Sequence, residues 1–148
     1  MSLAVASPAF ATVGRNDYPY RTSATSGLDR WNFNLRQCTS FVAWRLNHDN
    51  LIRFSNNYKG VYWGNAEHWD EAARSVRIRV NHTPYRGSIA QFNPGVQGAG
   101  SMGHVAYVMR VRPTRVLVEE YNRKPYAYDQ YWVNRAGLNF IHFGNNAD

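Results

Sequence analysis

A chain of 148 residues, 44% hydrophobic and 18% charged, can enclose one core without metal or disulfide staples, and is neither disordered nor a coiled coil. No apolar stretch approaches the ~18 residues of a spanning helix, so stable membrane insertion is not expected. Lys and Arg outnumber Asp and Glu by 17 to 10, a net charge of +7, which suits an anionic partner such as nucleic acid, a membrane surface or an acidic cell-wall polymer.

Residues 2–11 are small and apolar and end in Ala9-Phe10-Ala11, an A-x-A pattern. Two readings stand for this stretch: the last part of a secretory signal peptide, or a tail of no meaning. Residues 1–15 are accordingly set outside the fold, and residues 16–148 are expected to form a single domain. Residues 16–36 are rich in Asn, Ser, Thr, Gly and aromatics and read as loop.

Gln37 to His48 reads as a helix, with Phe41, Val42, Trp44, Arg45 and Leu46 on its apolar face and Thr39 or Ser40 as its cap. Cys38, the single cysteine, sits at or just inside its start. One cysteine excludes an internal disulfide, a CxxC pair and a Cys-rich zinc site. A helix start offers free N–H groups and partial positive charge, which favour a thiolate nucleophile. A buried cysteine acting as a small hydrophobe is the other reading of this position.

Asn65 to Val76 reads as a second helix, with Asn65 as N-cap, Ala66, Trp69, Ala72, Ala73 and Val76 inward, and Glu67 and Glu71 to solvent. From Arg77 the period changes to two. Ile78 with Val80, Ser88–Phe92, His104–Val111, Arg115–Tyr121, Tyr126–Val133 and Asn139–Phe143 are strand candidates. Gly95 to Gly103 holds four glycines and reads as a flexible loop. Arg74-Ser75-Val76-Arg77-Ile78-Arg79 and Arg110-Val111-Arg112 alternate as wet strand faces do. With no basic run and no DNA-binding motif, no nucleic-acid partner is expected. Helices followed by a run of antiparallel strands give an α+β domain.

A nucleophilic thiol needs a base. Of the five histidines, His104 follows the glycine loop and opens a strongly patterned strand, where Gly103 permits close backbone approach. His48 reads as a helix C-terminal residue, His68 as a surface residue beside Glu67, His82 as a turn residue and His142 as solvent-facing. On the next strand Glu120 and Asn122 continue the apolar face of Val116 and Val118, and polar groups at a core edge demand partners. A solvated charge at Glu120, a turn role for Asn122 and a local hydrogen bond for His104 are the bland alternatives. Parity decides whether His104 can meet Glu120. An odd hairpin loop, or one bulge, puts both on one face; a two-residue loop alone does not.

These segments together resemble the CHAP family (cysteine, histidine-dependent amidohydrolase/peptidase), relatives of papain-like and NlpC/P60 cell-wall hydrolases. Gln37-Cys38-Thr39-Ser40-Phe41-Val42-Ala43-Trp44 looks like the nucleophile helix, and Trp63-Gly64-Asn65-Ala66 with Trp69 like the W-G-N-A-x-x-W segment. Pro84, Gly87-Ser88-Ile89-Ala90 and Gly103-His104-Val105-Ala106-Tyr107-Val108 resemble the first core strand and the base strand. The resemblance spans about residues 18 to 143. It implies a papain-like CHAP fold with N-terminal helices packed on an antiparallel sheet. It makes Cys38 the nucleophile, His104 the general base, Glu120 its orienter and Asn122 an accessory polar residue. Gln37 and the Cys38 backbone N–H are the implied oxyanion donors.

The implied activity is a peptidoglycan hydrolase that cuts amide bonds, as an N-acetylmuramoyl-L-alanine amidase or an endopeptidase, with no cofactor. A wall-binding module with little turnover, and an amidase on a small non-wall conjugate, are the alternatives. Partners are expected to be peptidoglycan or an anionic wall polymer, the location secreted or at the cell wall, and the state monomeric. Trp31, Tyr62, Trp63 and Trp132 are candidates to line a substrate cleft, with core packing as the competing role. Some family members bind calcium just before the nucleophile. Here that stretch, residues 29–36, holds one acid and two arginines, so no metal is expected.

Overall fold

The computed structural model describes residues 13–144; the A-x-A stretch lies outside them. Helix α1 runs Cys38–His48. Its N-cap position is Gln37, in extended conformation, and no side chain caps the end. Thr39 and Ser40 lie inside the helix instead, where Ser40 Oγ hydrogen-bonds the Tyr18 hydroxyl at 2.5 Å. The cysteine is therefore the first helical residue. The second helical stretch is a 3₁₀ turn, Ala66–His68, running into α2, Trp69–Ser75. It is shorter than its apolar period suggests, and Arg77 just beyond it takes φ 62°. Asn65 makes no side-chain cap.

Six antiparallel strands follow: β1 (Arg79–Asn81), β2 (Ile89–Phe92), β3 (His104–Val111), β4 (Arg115–Tyr121), β5 (Tyr128–Asn134) and β6 (Asn139–His142). Their order in the sheet is β1-β6-β2-β3-β4-β5. β5 begins later than the alternation indicates because Tyr126, at φ 57°, belongs to the turn. His142 is not solvent-facing as its alternation suggests. It is 8% exposed and its Nε2 lies 2.9 Å from Asn81 Oδ1. The reason is position: β6 is flanked by β1 and β2, and Tyr85 packs edge-on against the imidazole.

Strand alternation gives the sheet two apolar faces. Ile89, Val105, Tyr107, Tyr121 and Ile141 pack with Phe41, Trp44 and Leu46 of α1 and with Phe54, Trp63 and Trp69. Ala90, Phe92, Ala106, Val108, Val118 and Phe140 form a second cluster on the other face.

One charge enters the first face. Arg45, on the apolar side of α1, has no exposed surface. Its Nε lies 2.5 Å from Glu119 Oε1 and its Nη2 3.1 Å from Glu119 Oε2. Its Nη1 reaches Asp49 at 3.1 Å. Glu119 also accepts from the Tyr128 hydroxyl at 2.6 Å and the Gly14 N–H at 2.9 Å, while Arg15 O accepts from Arg45. Residues 13–15 thus belong to the fold rather than to the tail. Their backbone supplies hydrogen bonds that the buried pair would otherwise lack.

Removing one partner of a buried pair strands the other charge. Arg45→Met is expected to lower stability by about 3–5 kcal/mol, measured by urea denaturation. Adding Glu119→Gln should recover part of that loss, because the fully buried Glu119 carboxylate is then no longer left without its counter-charge, while Asp49 still lacks Arg45.

Candidate active site

The pairing of β3 with β4 decides what His104 meets. Tyr107 pairs with Glu119 and Val108 with Val118, but beyond them Arg110 pairs with Leu117. Met109 is therefore the extra residue of a β-bulge. The hairpin turn itself spans only Pro113 and Thr114, closed by Arg112 N–H donating to Arg115 O at 2.8 Å. A two-residue turn alone would set His104 on the face of Glu119; the bulge reverses the parity. His104 Nε2 lies 3.0 Å from Glu120 Oε2, with the glutamate side chain fully buried and the imidazole 12% exposed. The contact is close but off the ideal hydrogen-bond line. Oε2 also accepts the Arg123 N–H at 3.1 Å.

Cys38, half-buried, interacts with the same imidazole as a charge and as a hydrogen-bond partner. Nε2 is turned to Glu120, so Nδ1 is the ring nitrogen on the thiol side. Burial pulls the imidazolium pKa down; Cys38 and then Glu120 overcome this and raise it to about 10. Phe92, paired with His104 across the strands, presents its ring edge-on to the imidazole at 5.5 Å.

Asn122 does a different job from the one its spacing to Glu120 suggests. Its Oδ1 accepts the Tyr126 N–H at 2.7 Å, so its Nδ2 is the atom that donates to Gln37 Oε1 at 2.6 Å. With Oε1 committed, Gln37 has its amide N–H groups left to offer. Gln37 and Cys38 both line the cleft, and the backbone N–H of Cys38, like all first-turn donors, has no partner within its helix.

The cleft over these residues has a volume of ≈ 350 Å³. Gln37, Cys38, His104 and Asn122 form one side, and the segment Gly98–Gly103 another. That segment is fixed where it meets His104: Met102 O accepts the Glu67 N–H at 2.8 Å. Gly103 has φ +70°, and a Cβ there would come within 2.6 Å of Phe92 O and 2.8 Å of Glu67 N.

The aromatic candidates are dispersed. Trp63 has no exposed surface and donates its Nε1–H to Tyr58 O at 3.0 Å, so it packs the core and offers nothing to a substrate. Trp31 is half-buried and edge-on to Tyr20, Tyr62 is 77% exposed, and neither lines the cleft. Trp132 lines a separate groove. The rings in the cleft are Phe92 and Tyr131, and the guanidinium of Arg123 lies 4.0 Å from the Tyr131 ring centre. Strand register is what puts these two on the face of Glu120: Phe92 pairs with His104 and Tyr131 with Val118.

Asp29 organises its own loop. Its Oδ1 accepts the N–H groups of Trp31 and Phe33 at 2.7 and 3.0 Å. Among the described residues no group of three or more His, Cys, Asp or Glu is placed to hold a metal ion.

Residues 28–122 match the CHAP domain. The chain belongs to the CHAP family. The fold agrees with the sequence resemblance. It is 34% identical over 116 residues to the N-acetylmuramoyl-L-alanine amidase sle1 of Staphylococcus haemolyticus, covering 69% of this chain and 34% of that protein. It is 40% identical over 92 residues to the staphylococcal secretory antigen SsaA of Staphylococcus aureus, covering 56% of this chain and 33% of that one. The chain thus spans about a third of the length of these curated relatives. The crystal structure of an N-acetylmuramoyl-L-alanine amidase from Staphylococcus aureus superposes with a TM-score of 0.61 at 25% identity, over 85% of this chain and 37% of that one.

Gly103→Ala forces a Cβ into backbone atoms at a left-handed φ, which no side-chain adjustment relieves. It is expected to lower the thermal unfolding midpoint by several degrees and to shift the His104 ring resonances, whereas Gly100→Ala, with nothing within 4 Å, should leave both unchanged.

Proposed function

We propose that this CHAP chain hydrolyses an amide bond of peptidoglycan, through a thioester formed on Cys38. The observation that carries the reading is the line Cys38–His104–Glu120, assembled from a helix start and two strands at the wall of one cleft. The names of the relatives point to the bond between N-acetylmuramic acid and L-alanine. Relatives described as a secretory antigen and an autolysin support a place of action at the cell wall, outside the membrane.

The chemistry follows from the positions. The Cys38 sulfur, as thiolate paired with the His104 imidazolium, attacks the amide carbonyl carbon. The carbonyl oxygen takes up the electron pair and is met by the Cys38 N–H and by the Gln37 amide. Collapse of the tetrahedral intermediate breaks the C–N bond, and the imidazolium gives its proton to the departing amine. Water, deprotonated by the now neutral His104, then attacks the thioester. The acid is released and the thiolate–imidazolium pair is restored. Glu120 holds the ring through Nε2 and compensates the imidazolium charge. Asn122 acts as a positioning residue, holding Gln37 in its donating orientation.

Purified cell walls are expected to release new amines without new reducing sugar ends. Cys38→Ala should abolish this release while leaving the fold intact; full activity in that variant would exclude the mechanism. Asn122→Ala is expected to lower kcat by about 10–100-fold with little change in KM, less than direct loss of an oxyanion donor. A proportionate rise in KM alone would assign Asn122 to ground-state binding.

A further inference from the structure

A second concavity, ≈ 800 Å³, shares no lining residue with the Cys38 cleft. Tyr85, Arg86, Arg110, Arg112, Trp132 and Arg135 form most of its wall, and none of its lining residues is acidic. Arg110 lies on β3 six residues beyond His104, about 20 Å along the strand at ~3.3 Å per residue.

Within the groove Arg112 lies against a ring, and Arg115 and Arg79 lie against its two aromatic lining residues from outside. Arg112 lies 4.5 Å and Arg115 5.9 Å from the Trp132 ring centre, and Arg79 lies 5.8 Å from that of Tyr85. Among the described residues, Arg110, Arg112, Arg115 and Arg135 have no Asp or Glu within 4.0 Å. Crowding such cations without counter-charge raises the local potential, and a polyanion relieves it. Stacking on a ring fixes the guanidinium plane and turns its N–H edges outward, the presentation that suits bidentate capture of phosphate. Arg110 on β3 and Arg112, the residue just past its end, stand two residues apart, about 6.6 Å in extended chain, so they repeat along the groove as charges repeat along a polymer.

The same rings argue against nucleic acid. Base recognition on single strands uses free aromatic faces as stacking platforms. Trp132 is already engaged by Arg112 and Arg115, and Tyr85 by Arg79 and the edge of His142. The arrangement suits a polyanion that offers phosphates and no bases.

We propose that this groove binds a polyol-phosphate polymer of the cell wall, tethering the chain while the cleft 20 Å away works on peptide. The source of the polymer rests on the wall-directed reading above; the binding itself does not require catalysis. The test is binding of poly(glycerol phosphate) to the full chain by calorimetry, across a range of salt. The wild type should bind, with affinity falling as salt rises. The triple variant Arg110→Gln/Arg112→Gln/Arg135→Gln should bind at least 30-fold more weakly and with a shallower salt dependence. Its hydrolysis of a small soluble muramoyl peptide should be unchanged. A control removing equal charge elsewhere, Arg30→Gln/Arg53→Gln/Arg77→Gln, should keep most of the affinity.

Equal losses in the triple variant and the control would overturn the site, leaving diffuse net charge alone. A single-stranded oligonucleotide of matched phosphate number binding as tightly or tighter would overturn the choice of polymer. Binding that persists in a chain with no amidase activity would instead count against the proposed function and leave the groove standing.

Discussion

Arg45 and Glu119 are both fully buried, so the charge of each depends on the partners packed around it. The desolvation cost of such a pair is several kcal/mol per ion, and only close geometry with every remaining donor and acceptor occupied offsets it. That condition reaches far through the molecule. It recruits Asp49 from the end of α1, Tyr128 from β5, and the backbone of Gly14 and Arg15 from the N-terminal segment. It also joins α1 to β4 in a fixed register. Cys38 stands two turns up the helix from Arg45, about 10 Å at ~1.5 Å per residue, and Glu120 is the residue after Glu119. Because successive strand residues face opposite ways, docking Glu119 against the helix aims Glu120 at the other face, where His104 stands. The ion pair and the Cys38–His104–Glu120 line are two consequences of one docking.

The bulge at Met109 completes this. The turn at Pro113–Thr114 holds only two residues, and on its own it gives the wrong parity for His104. One extra residue on β3 corrects the parity between the turn and the base without lengthening the turn. The hairpin keeps both a compact turn and a correctly aimed histidine.

The α+β class, the strands and the placing of Cys38 and His104 at one cleft were legible because they follow short-range patterns: period two, a glycine before the His104 strand, a lone cysteine at a helix start. The need for an odd loop or a bulge was legible too, but not which of the two, since that depends on how the turn closes. What escaped was set by long-range contacts. Spacing puts Arg45 on the apolar face of its helix, but only the packing of β4 shows Glu119 as its partner. His142 reads as exposed until β1 is paired beside β6. Trp63 and Trp132 are alike in sequence terms, yet one is sealed in the core and the other is engaged by two arginines in a distant groove. Cleft aromatics cannot be picked from composition, because only the register shows that Phe92 and Tyr131 share the face of His104.

The central claim is that the scaffold holds His104 as an imidazolium between Cys38 and Glu120. Its folded-state pKa lies above the ordinary value of about 6.5. The stabilisation it contributes is therefore fully present below about 6.5 and is lost as pH rises through about 10. The most direct measurement is a nitrogen-15 NMR titration of the histidine rings in the wild type and in Cys38→Ala. The account predicts that His104 stays protonated through neutral pH and releases its proton only near 10 in the wild type, with a clear fall in that pKa when the sulfur is removed. A His104 ring that deprotonates near 6.5, or that titrates identically in the two proteins, would contradict it.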